Sequence, residues 1–152
     1  MRLVDGAVMR LATGVMLAVV LGAAMDARAQ ESGGAVARDS RVFEMRTYHA
    51  AAGRIDDLHA RFRNHTSDIF RKHGMAIIGY WVPIDEKTGA IAGNTLVYIL
   101  AYPSLEARQK AWDEFRADPE WNAVKTESEK NGKLVDKVDS VFLKSTDYSP
   151  VK

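Results

Sequence analysis

The sequence predicts an α+β fold, a four-stranded antiparallel sheet with its helices on one face. Three observations carry this. Strand-like and helix-like stretches follow one another in the order β-α-β-β-α-(α)-β. The first helical stretch bears a single apolar stripe at a spacing of three to four residues. The second and third strand stretches are almost continuously apolar, as strands inside a packed layer are. At 152 residues, 47% apolar and 27% charged, the chain has the length and composition of one globular domain.

The first strand spans residues 41–49, and its side chains alternate between two faces. Phe43, Met45 and Thr47 share one face, and Val42, Glu44, Arg46 and Tyr48 share the other. In the four-stranded layout, the face with the acid, the base and the phenol is expected to lie opposite the helices. A short connector at 50–53 leads into a helix over 54–72, whose stripe is Ile55, Leu58, Phe62, Ile69 and Phe70. Gly74 stands where a left-handed cap ends the helix, with basic residues in the last turn.

The second strand covers residues 75–83 and reads as buried on both faces. A turn-rich connection at 84–93 joins it to the third strand, 94–102, which is β-branched and aromatic. Ser104 is placed to cap the next helix, with Leu105, Arg108, Trp112 and Phe115 as its inner stripe. Asp118 and Pro119 restart a shorter helix as N-cap and first residue, anchored by Trp121 and Val124. After a charged run to Gly132, residues 134–145 alternate as the fourth strand, and a polar tail follows. This order is the split βαβ, or ferredoxin-like, arrangement. It leaves one sheet face bare, and an apolar bare face predicts a partner, most simply a second copy on a two-fold axis.

The N-terminus reads separately. Arg2 and Arg10 precede an apolar run, 11–24, and Ala27-Arg28-Ala29 offers a small-residue cleavage site. The expectation is a signal peptide at 1–29, a flexible linker at 30–40 and a folded domain at 41–148, giving a periplasmic or secreted protein starting near Gln30. The apolar run is shorter than the roughly 20 residues a spanning helix needs, so no stable membrane insertion is expected after cleavage. Of 21 basic and 20 acidic side chains, the leader removes three (Arg2, Arg10, Arg28) and two (Asp5, Asp26), leaving 18 of each. Net neutrality argues against a nucleic-acid partner. With no cysteine, no disulfide can staple the fold.

Residues 42–145 resemble the NIPSNAP domain. The matching pieces are Phe43-Glu44-Met45-Arg46-Thr47-Tyr48, Phe70-Arg71-Lys72-His73-Gly74-Met75 and Gly79-Tyr80-Trp81. Then come Tyr98 with Ser104, Arg108, Trp112 and Phe115, and finally Asp118-Pro119-Glu120-Trp121. The resemblance implies a dimeric α+β barrel, a homodimer of ferredoxin-like units with a barrel between the two sheets. It implies no single reaction, since the wider superfamily includes cofactor-free monooxygenases, haem-handling enzymes and binding proteins.

The candidate ligand-binding residues are Glu44, Arg46, Tyr48 and His49 on the first strand, Tyr80 and Trp81 on the second, and Tyr98 on the third. Glu44 and Arg46 could hydrogen-bond a ligand in the barrel, although pairing with each other is the simpler role. Tyr80 or Tyr98 could offer a hydroxyl in an apolar lumen. His49, His59, His65 and His73 form no metal-ligand spacing, and no phosphate loop, cysteine nucleophile or serine elbow is present. No metal site and no cofactor are expected. Two readings stay open. One is a dimer that binds a small apolar or aromatic molecule or acts through protein contacts. The other is a cofactor-free or haem-dependent monooxygenase-like enzyme with Glu44, Arg46 and Tyr98 as acid, base or orienting groups.

Overall fold

The computed structural model describes residues 41–152. The expected leader and linker, 1–29 and 30–40, lie outside the described residues. The elements appear in the expected order: β1 (Val42–Ala50), α1 (Ile55–Arg61), a π-helical turn (Phe62–Thr66), α2 (Ser67–Lys72), β2 (Ala76–Trp81), β3 (Thr95–Tyr102), α3 (Leu105–Ala117), α4 (Pro119–Ser128) and β4 (Val135–Lys144). The sheet order is β2-β3-β1-β4, antiparallel throughout, so β1 is central and pairs with both β3 and β4.

The helix ends form where local chemistry directs. Gly74 takes a φ of 72°, and the Met75 amide turns back to the Phe70 carbonyl at 3.0 Å, closing α2. The Ser104 hydroxyl accepts from the Ala107 amide (3.1 Å), and the Asp118 carboxylate accepts from Glu120 (2.8 Å) with Pro119 in the first turn of α4. The helix expected as continuous over 54–72 instead passes through the π turn. There the Thr66 and Ser67 hydroxyls donate to the carbonyls of Arg61 (3.2 Å) and Phe62 (2.8 Å), five residues back.

The core lies between the sheet and the helices. Leu58, Phe62, Ile69 and Phe70 pack with Leu96, Tyr98, Leu100 and Tyr102 from β3 and with Ala111, Trp112 and Phe115 from α3. Leu105, expected in the inner stripe of α3, is exposed. β2, expected to be buried on both faces, is an edge strand whose Trp81 is 48% exposed. Its apolar run reflects an uncovered side of the sheet, not enclosure.

That open side carries Met45, Ile78, Trp81, Val97, Ile99, Val141 and Leu143, all exposed or only partly buried. Phe43 shares the open side yet is buried. The C-terminal tail folds back near it, with Arg41 Nε donating to the Lys152 carbonyl (2.7 Å) and Ser145 Oγ to the Val151 carbonyl (2.6 Å). Tail and sheet together border an apolar groove of about 420 Å³. No helix among the described residues is long and apolar enough to cross a membrane.

Candidate functional site

Glu44 is fully buried, and it faces the helices. Its Oε1 accepts from Arg46 Nη1 (2.6 Å), Arg108 Nη2 (2.7 Å) and Ser140 Oγ (2.7 Å). Its Oε2 accepts from Arg108 Nε (2.9 Å), Trp112 Nε1 (3.1 Å) and, at the long distance of 3.4 Å, the Tyr102 hydroxyl. The carboxylate thus joins β1, β3, β4 and α3. Arg108 and Trp112 reach it together because residues four apart in a helix share a face. Burial by itself would push the carboxyl up. The hydrogen bonds from Arg108 and Ser140 and the neighbouring Arg46 charge outweigh that and hold it at about 2.

This corrects the expected facing of β1. Val42, Glu44, Arg46 and Tyr48 point toward the helices, and Phe43, Met45 and Thr47 point to the open side. A buried acid is tolerated because its lone pairs are engaged, so the usual cost of burying a charge is offset. A carboxylate so fully engaged is a poor proton acceptor at neutral pH, and Glu44 serves as an anchor for the two arginines.

Arg46 extends from this anchor into an aromatic enclosure. Its guanidinium lies 4.5 Å from the Trp112 ring centre and 5.6 Å from that of Tyr48. Tyr48 meets Phe62 (5.7 Å) and Tyr98 (5.2 Å) edge-on. Tyr98, expected to offer a hydroxyl to the lumen, is instead fully buried beneath the helices. Its hydroxyl is buried against Arg46 and Tyr48, and neither it nor the Arg46 Nε is in ideal hydrogen-bond geometry. Burial, with Tyr48 beside it, pushes the Tyr98 phenol well up, so it stays protonated. Tyr80 sits at the rim on the same side, its hydroxyl 2.8 Å from Ser67 Oγ and its ring 6.0 Å from Tyr98.

His49 and Trp81 are the two candidates on the other side of the sheet. His49 Nε2 lies 2.9 Å from Asp139 Oδ2, and Trp81 lies over Gly79 and lines the apolar groove. The seven candidates therefore divide into a helix-side set of five and an open-side pair. His73, at the end of α2, pairs with Asp118 (2.7 Å), and Lys72 joins the same carboxylate (2.8 Å). The Asp118 carboxyl is held well below the usual range by Lys72 and His73. Among the described residues no cluster of three or more potential metal ligands occurs.

The sequence reading missed Trp112, Tyr102 and Ser140 as partners of Glu44. One signal did exist for Arg108. An arginine inside an apolar helical stripe needs a buried acid, and Glu44 is an acid inside a strand.

The NIPSNAP family profile matches residues 43–150. A NIPSNAP family protein of unknown function from Agrobacterium tumefaciens is 22% identical, with a TM-score of 0.63 over 78% of this chain and 99% of its own. An uncharacterised NIPSNAP domain protein from Burkholderia xenovorans is 24% identical, with a TM-score of 0.58 over 72% of this chain and 98% of its own. A further NIPSNAP family protein of Agrobacterium tumefaciens is 20% identical, with a TM-score of 0.60 over 74% and 99%. At these identities the likeness is one of fold. No curated protein matches the chain significantly. With the family profile covering most of its length and its sheet and helices in the shared arrangement, the chain belongs to the NIPSNAP family.

Proposed function

We propose that this NIPSNAP protein is exported and works as a homodimer, sheet against sheet, which holds a small apolar or aromatic molecule in the barrel between its two open faces. The observation that carries this reading is the uncovered sheet face bearing Met45, Ile78, Trp81, Val97, Ile99, Val141 and Leu143. Apolar area of this kind is costly in water, and a two-fold axis lets one face cover its own copy. The apolar groove beside the C-terminal tail opens on the same face and gives a ligand a place to sit. The His49–Asp139 pair lies on the same open face, at the far end of β1 from that groove.

Sedimentation of the mature chain at micromolar concentration tests the assembly, and twice the protomer mass is expected. A monomer across that range overturns the dimer. Native mass spectrometry of protein recovered from its own cells tests the ligand. A bound small molecule is expected, released on denaturation. A dimer of bare polypeptide mass, in a form that also fails to take up an apolar dye, overturns the binding role. Terminal sequencing of the exported protein, expected to begin near Gln30, tests export.

A further inference from the structure

His59, Arg63, Ser67 and Arg71 stand four residues apart along α1, the π turn and α2. In an unbroken α-helix a spacing of four advances about 40° around the axis at each step, so such a row drifts off one face. The π turn closes a hydrogen bond from the Ser67 amide to the Phe62 carbonyl, five residues back, and its wider winding slows that drift. All four residues line one cleft of about 370 Å³ on the helix side of the sheet. That volume lies within the roughly 300–1,000 Å³ typical of small-molecule sites. Phe62 and Leu96, both buried, supply its apolar wall. Tyr80 closes it from β2, its ring 5.8 Å from that of Phe62. Ser67 donates to the Phe62 carbonyl, so it accepts from the Tyr80 hydroxyl at 2.8 Å and fixes that ring in place. The lining carries two guanidinium groups and an imidazole but no carboxylate. Arg71 is engaged by Asp68 (2.6 Å), which is not part of the lining. Among the described residues the Arg63 and His59 side chains have no hydrogen-bond or ion-pair partner.

We propose that this cleft binds a phosphate monoester carried on a small aromatic or apolar body. Arg63, Arg71 and His59 hold the phosphate, and the Tyr80 ring and the Phe62–Leu96 wall receive the body. A phosphate monoester has a charge of roughly −1.5 to −2 at neutral pH and three free oxygens. It can engage two guanidinium forks and an imidazole at once, whereas a carboxylate brings one charge and two oxygens. An inorganic phosphate has the charge but leaves the apolar wall and the Tyr80 ring uncovered. The cleft lies across the sheet from the barrel, so the inference stands whether or not the dimer forms.

The test is calorimetric titration of the mature chain, in phosphate-free buffer, with phenyl phosphate, inorganic phosphate, benzoate and phenol. Phenyl phosphate should bind saturably, inorganic phosphate and benzoate at least tenfold more weakly, and phenol not at all. Arg63→Ala should weaken phenyl phosphate at least tenfold. Without ligand it should melt with the parent, because Arg63 has no partner to lose. If Arg63→Ala does not fold, His59→Gln should show the same tenfold loss. No saturable binding of phenyl phosphate overturns the proposal. Benzoate or phenol binding as tightly as phenyl phosphate overturns the choice of phosphate, and equal binding of inorganic phosphate overturns the organic body. Undiminished binding in the folded variant overturns the site and places the ligand elsewhere, the barrel included.

Discussion

Arg108 holds Glu44 with both prongs of its guanidinium, Nε at 2.9 Å and Nη2 at 2.7 Å, and so ties helix α3 to the central strand. A two-pronged guanidinium–carboxylate pair has directional as well as electrostatic strength. With Trp112 and Ser140 on the same acid, one side chain sets the distance between layers and steadies Arg46.

Replacing Glu44 with Gln keeps the shape and removes the charge. Two guanidinium groups would then face an amide, and one partner of a buried pair would be lost. The expected cost is about 3 kcal/mol, at the low end for buried pairs because both arginines are partly solvated. Urea unfolding of Glu44→Gln against the parent measures it, and a loss below about 0.5 kcal/mol, the range of ordinary surface substitutions, would show that the acid is not the anchor described.

The same residue makes stability depend on pH. Its folded-state value, about 2, lies below its ordinary 4.5, so its contribution is complete above 4.5 and is lost as pH falls toward 2. The shift corresponds to about 3 kcal/mol. The stability difference between the parent and Glu44→Gln should therefore be constant from pH 7 to 5 and shrink steadily below 4.5. A difference unchanged down to pH 2.5 would contradict this.

Asp118 has two roles that substitution can separate. It caps α4 through the Glu120 amide and receives Lys72 and His73. Asp118→Asn keeps an acceptor for the cap and removes the charge, whereas Asp118→Ala removes both. Melting temperatures should fall in the order parent, Asn, Ala. Equal melting of Asn and Ala variants would mean that the cap contributes nothing.

On the open face, Val141→Asp places a charge where the proposed dimer buries an exposed residue, and it leaves the core between sheet and helices untouched. Sedimentation should show a protomer with unchanged circular dichroism. A dimer as tight as the parent would place the contact elsewhere.

Gly79→Ala is a probe of Trp81. The added methyl would come within 2.8 Å of the Trp81 ring, which is half-exposed and able to swing away. Stability should change by less than about 1 kcal/mol, while the near-ultraviolet dichroism and fluorescence of Trp81 shift. An unaltered spectrum would show that the ring does not lie over Gly79.

The element order was legible because each stretch carries its own period and its own stop signal. Leu58, Phe62, Ile69 and Phe70 mark one side of a helix, and Gly74, Ser104 and Asp118 mark where helices end or begin. These are local effects, decided within a few residues. The π turn was not legible. It depends on Thr66 and Ser67 turning their hydroxyls to carbonyls five residues back, and the same residues are compatible with an unbroken α-helix. Nor was the edge position of β2, since a strand left uncovered on an apolar side and a strand buried on both sides read alike.

The sequence by itself determined that Glu44, Arg46 and Tyr48 share one side of a strand, because extended backbone alternates with period two. Alternation has no sign, however. It separates two faces without saying which one meets the helices, and the rule that charges avoid cores points the wrong way here. Only the tertiary structure decided it, by bringing Arg108 and Trp112 from α3 and Ser140 from β4 onto one carboxylate. With those partners the buried acid is satisfied, and without them it could not be buried at all.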